Sequence, residues 1–266
     1  MMGWASFNED NESRYHNATI IRKKEHEAMK APEKQSKPAA ATKLKEFAAP
    51  SARPLPVIVL ADTSGSMAAN DKIGTLQVAL REMIASFAKE ARLRAEIQVG
   101  LISFSGSEAR EHLPLVPAHS ISGVASMTAS GRTPMGAAFD VARTLLEDKD
   151  RIPSRAYRPV LVLVSDGAPT DDWESALDRL RSSQRAEKAT RFAMAIGADA
   201  DKDMLSKFTN DREGAVFEAH EARDILRFFK AVTMSVVARS SSPMPDQPAA
   251  LALSDVPDDD LDIGAL

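Results

Sequence analysis

Three features of this 266-residue sequence predict an α/β fold: a doubly wound, mostly parallel sheet with helices on both faces and one antiparallel edge strand. Apolar runs without alternation, Val57-Ile58-Val59-Leu60-Ala61, Val160-Leu161-Val162-Leu163-Val164 and Phe192-Ala193-Met194-Ala195-Ile196, read as strands buried on both faces. Between them, apolar residues recur at three- and four-residue steps, the period of amphipathic helices. Strand and helix in alternation build a sheet covered on both sides. Two of the runs end in a carboxylate, Asp62 and Asp166, at the strand ends where such sheets bind ligands.

Composition narrows the classes. Hydrophobic residues make up 44% of the chain, enough for a sizeable core, but aromatics only 5%, so aliphatic side chains and Ala must fill it. A net charge of −4 argues against a general nucleic-acid binder, which needs a basic surface for phosphate contacts. With no Cys there are no disulfides, thiolate metal sites or Cys nucleophiles, which suits a reducing compartment. No apolar run approaches the ~20 residues of a membrane helix. Met1-Met2-Gly3-Trp4-Ala5-Ser6 is not followed by the apolar core of a signal peptide. The expectation is a cytoplasmic protein with neither nucleic acid nor membrane as partner.

Residues 1–53 are net basic and poor in aliphatic side chains, and Ala31–Pro54 has the Ala/Pro/Lys composition of a linker. They are expected to form a disordered or partly helical arm. Pro54 and Pro56 bracket the entry to the first strand. After the loop at Asp62, residues 71–92 read as a helix through Ile73, Leu76, Leu80, Met83, Ile84 and Phe87, with Asp71 at the end where the dipole favours an acid. Glu96–Phe104 is the next strand. Gly106 breaks it and Glu111–Val116 resumes an extended pattern, a hairpin whose Pro114 and Pro117 suit a sheet edge. A Ser/Gly-rich connection over 118–132 delivers Thr133. Pro134 then fits the first turn of a helix through Ala138, Ala142, Leu145 and Leu146. Beyond the strand ending at Val164, Thr170 reads as a helix N-cap with Asp171 and Asp172 in the first turn. A buried strand at Phe192–Ile196, a short helix over 201–209, a short strand at Ala215–Phe217 and a helix from His220 to about Ala238 complete the domain, 54–239. Every charged residue after Arg239 is an Asp, so residues 240–266 are expected to be a disordered acidic tail. Its Asp258–Asp262 segment is a candidate internal competitor for whatever the site binds.

Asp62, Ser64 and Ser66 alternate along a tight loop that Gly65 allows to turn. Three hard oxygens aimed at one spot suit Mg²⁺. A βα turn whose Ser and Asp only cap the next helix accounts for the same residues. Two later stretches add to the first: Ser130-Gly131-Arg132-Thr133-Pro134-Met135-Gly136 offers another hydroxyl before a helix, and Val164-Ser165-Asp166-Gly167 ends a buried strand in an acid. The order D-x-S-x-S, then T, then D-G resembles the metal-ion-dependent adhesion site of the von Willebrand factor A domain, over roughly residues 54–238. That resemblance implies a Rossmann-like sheet and one divalent cation held by Asp62, Ser64, Ser66, Thr133 and Asp166, some through water. Mg²⁺ is the expected ion, with Mn²⁺ and Ca²⁺ as alternatives, and a Glu or Asp of a protein partner completes its shell.

The segment Val164-Ser165-Asp166-Gly167-Ala168-Pro169-Thr170-Asp171-Asp172-Trp173 is also similar to the T-D-G-x-P-T-D-x-W stretch of bacterial tellurium-resistance proteins of the TerY type, with Ser165 for the usual Thr. That similarity implies a scaffold or regulator in a stress-response system, with a protein kinase or PP2C-type phosphatase as partner. Catalytic signatures are missing. The Ser-Gly-Ser loop has no G-x-S-x-G elbow, no Walker A or G-x-G-x-x-G loop occurs, and His26-Glu27-Ala28-Met29-Lys30 lacks the second His of a zincin. An aspartyl phosphotransferase would want a carboxylate where Ser64 stands. A non-enzymatic interaction module is expected. The competing reading, a metal-assisted hydrolase or phosphatase using the same cation, needs a base that the sequence does not offer.

Overall fold

The computed structural model describes residues 52–90, 94–209 and 216–247, together with Leu251 and Val256. The expectation for residues 1–51 lies outside them. The chain runs β1 (Arg53–Asp62), a 3₁₀ turn (Gly65–Asp71), α1 (Lys72–Lys89), β2 (Ala95–Ser105), β3 (Glu108–Pro117) and a second 3₁₀ turn (Ala118–Ser120). It continues with α2 (Met135–Glu147), β4 (Val160–Ser165), α3 (Trp173–Arg181), β5 (Thr190–Ile196), α4 (Lys202–Phe208), β6 (Val216–Ala219) and α5 (Ala222–Ser241). The sheet has the order β3-β2-β1-β4-β5-β6, parallel throughout except for β3 against β2.

The continuous apolar runs conceal a two-residue period. Val57, Val59 and Ala61 of β1 pack with Leu76, Leu80 and Phe87 of α1 and Phe229, Val232 and Val236 of α5. Ile58 and Leu60 face the other way, among Phe139 and Leu145 of α2, Leu177 and Leu180 of α3 and Leu205 and Phe208 of α4. Each strand thus feeds two helical layers, which is why no polar residue interrupts it. Phe139 and Phe208 stack with their centroids 5.6 Å apart, so two of the few aromatics join α2 to α4.

At the edge, Pro114 and Leu115 stand together opposite Gly100, between the pairs Val99↔Val116 and Leu101↔Leu113. This bulge absorbs a residue that cannot donate to the ladder. Helix termini differ from the sequence-based expectation. The first helix begins one residue after Asp71, because Asn70 and Asp71 are both left-handed, with φ of 53° and 51°. The last helix starts at Ala222, where Asp224 accepts from the main-chain N–H of His220 (2.8 Å) and Glu221 (3.0 Å). It ends past Ala238, at Ser241.

Its exit bears on the acidic tail. α5 follows the carboxyl end of β6 and returns to the amino ends of the strands. There Arg239 donates to Pro245 O (3.0 Å) and Arg158 O (3.0 Å), and Arg158 N donates to Asp246 (2.8 Å). Pro245 and Asp246 are thus hydrogen-bonded to the domain, past the boundary expected at 239. Leu251 packs against the α1/α5 layer and Val256 is buried. The other tail residues, Asp258–Asp262 included, lie outside those described. The tail leaves at the end of the sheet opposite Asp62, separated from it by the ten residues of β1, about 33 Å of strand.

Candidate metal centre

β1 lies between β2 and β4, and the chain moves from β1 to one side of the sheet before returning to the other. The carboxyl ends of β1 and β4 therefore flank a topological switch point, where neighbouring loops diverge and leave a crevice. Asp62 is the last residue of β1, and Asp166 follows the last residue of β4.

Asp62 is fully buried. Ser64 N donates to its Oδ1 (2.8 Å), an Asx turn that folds the loop back on the strand end. Ser165 Oγ donates to its Oδ2 (2.6 Å). Ser64 Oγ and Ser66 Oγ are 3.1 Å apart, and Ser66 Oγ donates to Asp166 Oδ1 (2.6 Å). The remaining oxygen, Asp166 Oδ2, accepts from Lys72 Nζ at 2.7 Å. Thr133 joins at Gly167, where a Cβ would stand 3.6 Å from Thr133 Oγ1 and 3.9 Å from Ser66 Oγ. Asp62, Ser64, Thr133 and Asp166 form a buried floor, and Ser66 stands exposed at the rim.

The loops hold one another through the main chain. Thr63 N donates to Phe104 O (3.0 Å), Ser130 N to Thr63 O (2.9 Å), Gly65 N to Gly131 O (3.0 Å) and Thr170 N to Thr133 O (3.0 Å). Asp171 supplies a further tie. Its carboxylate accepts from Gly136 N (2.9 Å) and Ala137 N (3.0 Å), two free donors at the start of α2. Gly136 permits the approach: a Cβ there would lie 2.8 Å from Asp172 O. Asp172, not Thr170, caps α3, accepting from Ser175 N (3.3 Å), so that helix begins at Trp173. The expected N-cap at Thr170 is thus displaced by two residues to Asp172. Asp171→Ala should cost about 1 kcal/mol in urea unfolding, the usual loss of a helix cap. It should also free the Thr133 loop, read as faster amide exchange at Gly136 and Ala137.

Burial pushes the Asp62 carboxyl above its ordinary range; bonds from Ser165 and Ser64 pull it back, and the nearby Asp166 charge adds to the rise. The two acids need positive charge. Among the described residues no three His, Cys, Asp or Glu side chains converge. The donor set is two carboxylates and three hydroxyls, hard oxygens that match a hard divalent cation better than a soft one. Both Asp62 oxygens already accept internal bonds, which suits contact through water rather than directly. Among the described residues no histidine is bonded to the site hydroxyls: His112 Nε2 is bonded to Ala125 O (2.8 Å), and His119 and His220 are exposed. Sequence reasoning missed Lys72, which reads there only as a surface residue of a helix, and Asp171 as the cap of α2 rather than α3.

A six-stranded α/β sheet with an acid-and-hydroxyl crevice at its switch point places the domain in the Rossmann-like α/β class. The profile of the von Willebrand factor type A domain matches residues 57–231, and the chain belongs to that family. An uncharacterized protein of Mycobacterium tuberculosis, Rv2850c, is 31% identical over 116 residues, 43% of this chain and 18% of its own length. Similar solved structures include the pilus adhesin SpaC of Lactobacillus rhamnosus GG (TM-score 0.58, 14% identity, 70% of this chain and 31% of that one). A von Willebrand factor type A protein of Catenulispora acidiphila gives 0.52 at 19% identity, over 69% and 42%. Proximal thread matrix protein 1 of the mussel byssus, in a form with zinc in its MIDAS motif, gives 0.52 at 16% identity, over 71% and 48%. The chain thus spans less than half the length of these relatives, and at such identities the structures share the fold.

Proposed function

We propose that this domain is a divalent-cation-dependent protein-interaction module. The observation that carries the reading is the cluster at the switch point, where two buried carboxylates and three hydroxyls from three separated segments meet. Asp62, Ser64, Ser66, Thr133 and Asp166 would hold the ion. Mg²⁺ is the favoured occupant because hard oxygens and partial hydration suit it, with Mn²⁺ and Ca²⁺ as alternatives. When bound, the cation supplies a Lewis-acidic position that takes a carboxylate from outside. The chain's own part is to neutralise the ion without saturating it: two negative charges balance two positive ones, and the hydroxyls leave it short of a strong ligand. A Glu or Asp of a protein partner fits that position. Membership of the von Willebrand factor type A family supports the reading, as does the zinc-bearing MIDAS of the mussel protein.

The similarity of Val164–Trp173 to tellurium-resistance proteins of the TerY type extends the proposal to a cytoplasmic scaffold or regulator in a bacterial stress response, with a protein kinase or PP2C-type phosphatase as partner. No helix among the described residues is long and apolar enough to cross a membrane. A role without catalysis accords with the lack of a histidine bonded to any site hydroxyl among the described residues. The test is capture of partners by the tagged chain with and without EDTA, alongside a phosphoester turnover assay. Expected are partners lost in EDTA and no turnover. Metal-dependent hydrolysis that disappears in Asp166→Ala would instead establish the hydrolase.

A further inference from the structure

We propose that the Lys72 ammonium is a tethered counter-ion of Asp166, and that a divalent cation loads the site by displacing it. The inference rests on the cation reading above and deepens it.

Lys72 Nζ lies 2.7 Å from Asp166 Oδ2, and the carboxylate is completely buried while the lysine side chain keeps 19% of its exposure. Asp166 Oδ1 is already taken by Ser66. The ammonium therefore takes the second oxygen of the acid that Ser66 already bonds. Its position is built from three places. The chain reaches Lys72 through Asn70 and Asp71, two consecutive left-handed residues that are not glycine, an uncommon conformation. Lys72 is then the first residue of α1, where the positive end of the helix dipole disfavours a cation. Gly197, at φ of 80°, backs the stem: a Cβ there would stand 3.6 Å from Nζ and 4.0 Å from Cε. A local placement that is unfavourable in two respects is offset by the buried carboxylate it reaches.

Charge then decides how a second cation enters. Asp62, Asp166 and Lys72 together carry one net negative charge. A divalent ion added beside the ammonium would leave a net positive charge and two like charges in one mostly buried crevice, a costly arrangement. An ion that replaces the ammonium leaves the crevice neutral. The lysine's flexible four-carbon stem and partial exposure give it a route to solvent.

The test uses the full chain and Mg²⁺ alone. Lys72→Met and Lys72→Gln should each bind Mg²⁺ at least about tenfold more tightly than wild type in calorimetry, a gain of about 1.4 kcal/mol. Both should melt at lower temperature than wild type in EDTA and recover with Mg²⁺, since Asp166 loses its counter-ion. Independently of any variant, acylation of Lys72 in the wild-type chain, read by mass spectrometry, should rise several-fold when Mg²⁺ is added. Unchanged or weaker Mg²⁺ binding in both variants, or Lys72 equally protected with and without Mg²⁺, overturns the exchange. If wild type binds Mg²⁺ and Asp62→Ala does not, such a result removes only the role of Lys72. If neither wild type nor the Lys72 variants bind, the cation reading itself fails and the exchange falls with it.

Discussion

Asp62→Asn is expected to abolish Mg²⁺ binding and at the same time to raise the melting temperature of the domain in EDTA at neutral pH. Both effects have one cause. Asp62 is fully buried at the end of β1, and burial is the main reason its carboxyl is held above the ordinary value of 3.8. Its folded pKa lies above its unfolded one, so the folded state holds the proton more tightly. Its contribution to stability is complete below the unfolded value and is lost as pH rises through the folded one. Wherever the pH exceeds the folded value, the penalty of burying the charge remains. Asn removes that charge, keeps an oxygen to accept from Ser64 N, and turns an amide toward Ser165 Oγ, which can accept. EDTA melts across pH 3–8 should therefore show a decline in wild type that the variant lacks. A variant that still binds Mg²⁺ would remove Asp62 from the site, and one that melts lower at neutral pH would contradict the assigned cost.

Gly131→Ala should destabilise the domain by about 2–3 kcal/mol and weaken cation binding, the larger effect on stability among the loop changes considered. Gly131 has φ of 73°, and a Cβ there would lie 2.8 Å from both Cα and N of Gly106, which is itself left-handed at 65°. The obstacle is main chain, which cannot rotate away as a side chain would. Gly131 O also receives Gly65 N, and the adjacent Ser130 N donates to Thr63 O, so the same shift pulls on the D-x-S-x-S loop and on Thr133 two residues later. Gly123→Ala is the control. Nothing lies within 4 Å of its Cβ position, and it should change stability by less than about 0.5 kcal/mol. Urea unfolding and Mg²⁺ calorimetry on the pair separate a general Gly-to-Ala effect from the backbone contact.

The strands and the site acids were legible because their signals are local. An unbroken apolar run such as Val57–Ala61 can hardly be anything but a strand covered on both faces, and an acid ending it falls where parallel sheets open a crevice. The two prolines of β3 likewise marked an edge, since neither can donate to a neighbour. Capping was less legible. In Thr170-Asp171-Asp172 three adjacent residues can each cap a helix, and local preference ranks them almost equally. The choice of Asp172 for α3 and Asp171 for α2 depends on where the Thr133 loop comes to rest, 35 residues from Asp171 along the chain at Gly136.

Sequence by itself therefore determined the class of sheet, its antiparallel edge and the acid-and-hydroxyl pattern that resembles a metal site, because each follows from short-range periodicity or from residue types in order. Only the tertiary structure decided that Lys72 reaches Asp166 across 94 residues, that a Cβ on Gly131 would run into the main chain of Gly106, and that the end of α5 is tied to Arg158 before β4. The physical reason is the range of the forces involved. Hydrophobic pattern is written along the chain, whereas a 2.7 Å ion pair, or a glycine with no room for a Cβ, exists only once crossing strands and helices have fixed which distant residues become neighbours.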